Sequence, residues 1–240
     1  MPTSKKALIV SLAALAIAGL YLFAVFMHRR GPGPARPTDS APSHSLDDVA
    51  IVRLMFPTAY EDVLKLQNTS VWMKNGYTMP YYPYAGGRII FAKQTGLIPS
   101  AQRLDIKKIL KASPPALVDD GISHGSHQVF ALFALPGSAE LYATAIGVID
   151  GHQEAYFSDM LFYYDDPHKI YDNWSKETWG AVDAHQVKPG MNELQTSMAI
   201  GQKMHTDDPA KGNRTIAYDQ AGKHWTVTFA NDRATTIHVE

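Results

Sequence analysis

The sequence contains no cysteine. That excludes disulfides, thiolate metal sites, thiol nucleophiles and a lipid-modified N-terminal cysteine. It also lacks a basic surplus. The formal net charge is -1, and from Ser45 onward 17 Lys and Arg stand against 22 Asp and Glu. Neutralising a nucleic-acid backbone needs clustered cations, so no nucleic-acid partner is expected. Catalytic fingerprints are missing as well. There is no P-loop, no G-x-G-x-x-G, no H-E-x-x-H, and no serine sits in a G-x-S-x-G turn.

What the chain does have is one long apolar run, Ala7 to Met27, bracketed by Lys5 and Lys6 before it and by His28, Arg29 and Arg30 after it. At about 1.5 Å per residue a helix of that length crosses a hydrocarbon core of about 30 Å. The run is longer than the apolar core of a cleavable signal, and Met27 to Arg30 is a poor cleavage context. The expectation is therefore an N-terminal transmembrane helix over 1–30, a single-pass signal-anchor. A short N-terminal tail that stays in the cytoplasm places the C-terminal domain outside the inner (cytoplasmic) membrane. Pro32, Pro34, Pro37 and Pro42 make residues 31–48 a semi-extended linker.

The rest reads as an α+β protein in which antiparallel β-meanders pack with helices. Residues 49–165 form one module. Tyr60, Val63, Leu64 and Leu66 mark a short helix over 57–68. Tyr77 to Gly87 (YTMPYYPYAGG) reads as an aromatic loop, and Arg88 to Lys93 as a strand. Leu104, Ile106, Ile109 and Leu110 mark a helix over 101–111. Three strands follow, over 128–135, 140–149 and 152–164, with Pro136-Gly137 and Asp150-Gly151 as turns. The first two are nearly continuous in apolar residues, which implies that both their faces are covered.

Residues 166–240 form a second module. Asp166-Pro167 starts a helix that runs to about Ala184, with Trp179 off its apolar stripe. Asn192 and Gln195 make a capping box for a helix that Gly201 ends. Three short strands over 214–219, 223–230 and 234–239 complete the chain. The shared order of helix, then meander, suggests two tandem helix-plus-meander modules.

The run Val187-Lys188-Pro189-Gly190-Met191-Asn192-Glu193-Leu194-Gln195, then Gly201, Tyr218, Val227, Phe229 and Asn231, resembles the small outer-membrane lipoprotein family SmpA/OmlA over about 187–239. The chain departs from that pattern at Lys203, where the family usually has Pro, at Asp232, where it usually has Gly, and in lacking the lipid-bearing cysteine. The resemblance implies an α+β module facing the periplasm whose work is binding.

Two functional readings follow. In the first, the protein is a membrane-anchored envelope protein whose extracytoplasmic domain binds a protein or other envelope partner. Residues 7–27 contact the membrane, no cofactor is needed, and Tyr81, Tyr82 and Tyr84 supply the binding surface, since tyrosine offers area at low entropic cost. In the alternative, the protein is a metal-dependent or other envelope hydrolase. His124 and His127, an H-x-x-H pair, would join Asp120 in holding the metal.

Overall fold

The computed structural model describes residues 50–203, 210–220 and 222–240. Thirteen strands dominate the described chain: β1 Ser70–Met73, β2 Met79–Ala85, β3 Arg88–Ile89, β4 Gly96–Ile98, β5 Arg103–Ala112, β6 His127–Ala134, β7 Leu141–Asp150, β8 Gln153–Tyr156, β9 Phe162–Tyr163, β10 Gln202–Lys203, β11 Thr215–Gln220, β12 Lys223–Ala230 and β13 Arg233–Val239. The helices are short: α1 Tyr60–Leu64, α2 Ser158–Leu161, α3 Pro167–Ile170, α4 Lys176–Asp183 and α5 Glu193–Ile200.

This corrects the α+β expectation to a mostly antiparallel β architecture. The first sheet has nine strands in the order β3-β2-β7-β6-β5-β1-β9, with β4 added to β2 and β8 to β7. The second has four, in the order β10-β11-β12-β13. Among the described residues no helix is long and apolar enough to cross a membrane. The membrane-anchor expectation falls on residues 7–27, and the linker expectation on 31–48; both lie outside the described residues.

Several local expectations change with the class. The expected helix over 101–111 is strand β5, so no helix directly precedes the first meander, and the tandem helix-plus-meander layout fails in this half. The aromatic loop is strand β2. The strand expected over 88–93 shortens to β3. The strand expected over 152–164 ends at Tyr156, turns through α2 and resumes as β9. The helix expected over 167–184 breaks into α3 and α4. The break re-phases the chain, because Ser175 caps α4 by accepting the Thr178 amide, and Trp179 becomes buried.

Other expectations hold. Residues Gln128 to Ala134 of β6 are all buried, so both its faces are covered. The Asp150-Gly151 turn joins β7 to β8, with Gly151 at φ 59. The Asn192/Gln195 capping box is formed, and Gly201 follows α5 at φ 83. The final meander pairs as expected, with Asn231 and Asp232 at φ 52 and 56 in its last turn.

The two halves meet along β1 and β9. Side chains alternate across a strand. Val71, Met73, Phe162 and Tyr164 therefore join the core of the first sheet, while Trp72 and Tyr163, paired in register, turn to the opposite face. There they meet Tyr171, Trp174, Trp179, the apolar side of α5 and the inner face of the second sheet. His168, Trp179, Trp174, Tyr171 and Tyr163 follow one another as a ladder of rings, with successive centroids 4.0, 4.9, 4.7 and 6.5 Å apart.

Candidate binding surfaces

The three tyrosines do not form one platform. Tyr82 is buried, its hydroxyl donates to the Asp119 carbonyl at 3.1 Å, and its ring meets Phe91 edge-on at 5.4 Å. Burial pushes its pKa up. Tyr81 points the other way along the strand, half-buried, edge-on to Tyr142 at 5.2 Å and 6.0 Å from Phe133. Tyr84 is half-buried against the first core. The rings pack the sheet.

The histidine pair is also divided. Asp120 is fully buried, and its Oδ1 accepts from Gln128 Nε2 at 3.1 Å and from the Ile122 amide at 3.4 Å. His124 Nε2 lies 3.6 Å from Asp120 Oδ2. Gln128 faces this cluster from β6, so its neighbour His127 projects from the other side of the strand. There His127 Nδ1 and the Ser113 hydroxyl share a hydrogen bond of 2.9 Å. His124 and Asp120 are thus brought together and His127 is not. Among the described residues no three His, Asp or Glu side chains converge to hold a metal ion.

The Asp120 cluster is shaped by a tight loop. A Cβ on Gly125 would lie 2.5 Å from the Ile149 carbonyl oxygen, so only glycine lets the loop press against β7 here. Burial raises the pKa of Asp120. Its Oδ2 and the Gln128 Oε1 both lack a hydrogen-bond partner among the described residues. The arrangement is a buried polar contact closed over by its own loop.

A different surface stands out at the start of the described chain. Residues 50–58 form an extended strap. Ala50 and Val52 pack on the second core, and Met55 packs on the first. Between them Arg53 Nη2 donates to the Tyr164 carbonyl at 2.9 Å. The outer side of the strap exposes Ile51, Leu54 and Phe56, and Phe56 is 72% exposed.

Phe56 also has φ 50. A bulky residue in that region costs roughly 1–2 kcal/mol. Asp159, which opens the first turn of α2, holds it there: Oδ1 accepts the Met55 amide at 3.0 Å and Oδ2 the Phe56 amide at 2.8 Å. The Tyr164 hydroxyl donates to the same carboxylate at 2.7 Å. Burial opposes ionisation of Asp159, but these hydrogen bonds prevail and hold its pKa below the usual range. Met160, the next residue, is exposed beside the clamp. The sequence signal for this surface was slight, an apolar residue before Pro57, and sequence reasoning missed it.

The second half carries a buried ion network. Glu193, at the first turn of α5, is almost fully buried. Arg214 grips it with Nε to Oε1 at 3.0 Å and Nη2 to Oε2 at 2.7 Å. The Gly212 amide and Lys203 Nζ add bonds of 2.7 and 3.2 Å, and the Glu193 amide donates to Asp232 Oδ1 at 3.3 Å. Burial alone would raise the Glu193 pKa, and these donors hold it below the usual carboxylate value. Lys203 and Asp232, the two positions that depart from the SmpA/OmlA pattern, both contact this one residue. No family model, curated protein or solved structure matches the chain.

Proposed function

We propose that this protein is a binding module that engages a protein partner through the strap surface of Ile51, Leu54 and Phe56. One observation carries the reading. The chain holds a large aromatic ring in solvent on a strained backbone, and the half-buried Asp159 carboxylate keeps it there. Backbone strain persists where surrounding structure over-determines it, and such sites cluster at functional positions. An exposed aromatic anchor flanked by aliphatic side chains has the composition of an interface hot spot. The SmpA/OmlA resemblance over about 187–239 adds support for binding as the work of this chain, and fold likeness goes no further than that.

A photo-crosslinking residue at position 56 of the full chain, expressed in its own cell, tests the proposal. The expected result is one discrete protein adduct, absent when the same residue is placed at exposed Glu140. No adduct at 56, or the same adducts at both positions, would sink it. Phe56→Asn separates function from folding, because Asn tolerates positive φ. It should keep stability or raise it by up to about 1 kcal/mol while the partner is lost in co-purification.

A further inference from the structure

Residues 113–126, between β5 and β6, fold their backbone over one buried carboxylate. Asp120 and Gln128 are both fully buried. Gly121 turns the chain at φ 84, where a Cβ would press on Met79 and Pro80 of β2 at 3.2 and 3.3 Å. From the same strand the Tyr82 hydroxyl holds the Asp119 carbonyl at 3.1 Å. Gly125 seats the far end of the loop against the Ile149 carbonyl. The stretch of Ile122, Ser123 and His124 is thereby fixed on both sides.

Inside the loop, acceptors outnumber donors. Gln128 Nε2 faces Asp120 Oδ1 at 3.1 Å, the Ser123 carbonyl at 3.3 Å and the Ile122 carbonyl at 3.5 Å. Three acceptors thus compete for the two hydrogens of one amide. Asp120 Oδ2 and Gln128 Oε1 are buried and have no hydrogen-bond partner among the described residues. His124 Nε2 stands 3.6 Å from Oδ2, too far for a hydrogen bond. A buried carboxylate with incomplete partners is costly, and unsatisfied oxygens on two neighbouring side chains call for positive charge. A proton neutralises Asp120 but adds nothing for the Ile122 and Ser123 carbonyls.

We propose that this loop binds a hard cation of calcium or sodium size, ligated by the Asp120 carboxylate, Gln128 Oε1 and the carbonyl oxygens of Ile122 and Ser123. Turning the Gln128 amide by about 180° about its last bond brings Oε1 to the place of Nε2. The turn gives up no hydrogen bond at Oε1, which has none among the described residues. With metal–oxygen distances of about 2.3–2.6 Å, neighbouring ligand oxygens of an octahedral shell lie about 3.3–3.7 Å apart. The contacts around the Gln128 amide are already close to that spacing. All-oxygen ligation suits a hard ion and not a thiolate- or imidazole-seeking one. Water completes the shell from the side of Ser123, which is exposed. The site does not use His127, and it is independent of the Phe56 surface.

Thermal melts and calorimetric titration of the full chain test it, after EDTA treatment and exchange into tetramethylammonium chloride. Saturable binding of calcium or sodium is expected, with the melting midpoint raised by about 5 °C or more at a hundredfold excess over Kd. A response to calcium alone identifies a divalent ion. A response to sodium chloride over tetramethylammonium chloride at matched ionic strength identifies a monovalent one; both support the site. Asp120→Asn is the decisive variant. In the cation-free buffer it should melt no lower than wild type, because no buried charge remains. Its affinity for the ion should fall at least about tenfold, since the one anionic ligand is gone. No saturable response to either ion, an equal response to magnesium, which sheds its water reluctantly, or an unchanged response in Asp120→Asn would each overturn the proposal.

Discussion

Two buried carboxylates are set against each other in their response to pH. Burial raises the pKa of Asp120, so the folded chain holds that proton more tightly than the unfolded one. Its contribution is fully present below the ordinary Asp value of about 3.9 and is lost as pH rises through the folded value. Glu193 is held low by Arg214, the Gly212 amide and Lys203 in spite of its burial. Its contribution is present above the ordinary Glu value of about 4.3 and disappears as pH falls through the folded value. Urea melts from pH 3 to 8 separate the two. Asp120→Asn should be more stable than wild type at pH 7, by on the order of 1 kcal/mol, because the amide carries no buried charge and has donors for the unpartnered Gln128 oxygen. The gain should vanish near pH 3.5. Glu193→Gln should cost about 3 kcal/mol at pH 7, since it leaves Arg214 and Lys203 facing a neutral group, and cost less in acid. A gain from Glu193→Gln, or a loss from Asp120→Asn, would contradict this electrostatic account.

Single elements show where sequence patterns were enough and where they misled. Helix α5 was legible because its cap is local: Asn192, Gln195 and Gly201 stand at fixed offsets. Asn192→Ala should accordingly cost about 1 kcal/mol in thermal melts. Strand β5 misled because it contains a bulge. Its register with β6 shifts between Ile106 and Lys108, so Leu104, Ile106 and Ile109 all face the core at a spacing that imitates a helix. Strand β2 was hidden by Pro80 and Pro83. The Pro83 carbonyl accepts from the Ile90 amide, on the side away from β7, and the Pro80 carbonyl accepts from the Thr144 hydroxyl, away from β4. Each missing N–H therefore falls where no ladder bond is required. The Phe56 surface was out of reach for another reason. It depends on Asp159 holding the Met55 and Phe56 amides from more than a hundred residues further along the chain, which only the fold brings together.

At the scale of the whole molecule, the strap and the β1–β9 edge tie the two cores into one structure. Asn75 adds to the tie, accepting from the Tyr163 hydroxyl at 2.7 Å and donating to the Ser197 hydroxyl at 3.4 Å. All four tryptophans belong to the second core or pack against it, while β-sheet circular dichroism reports on both sheets. Unfolding followed by tryptophan emission and by far-ultraviolet circular dichroism should therefore give one coincident midpoint. A fluorescence midpoint well below the other would mean that the cores melt separately. The pairing of Trp72 with Tyr163 has a consequence in time. About ninety residues separate the two strands. A ribosome adding about 5–20 residues per second needs roughly 5–20 s to deliver the second after the first. Through that interval one edge of β1 waits unpaired on the nascent chain, and it is then, before the protein is finished, that a chaperone has something to hold.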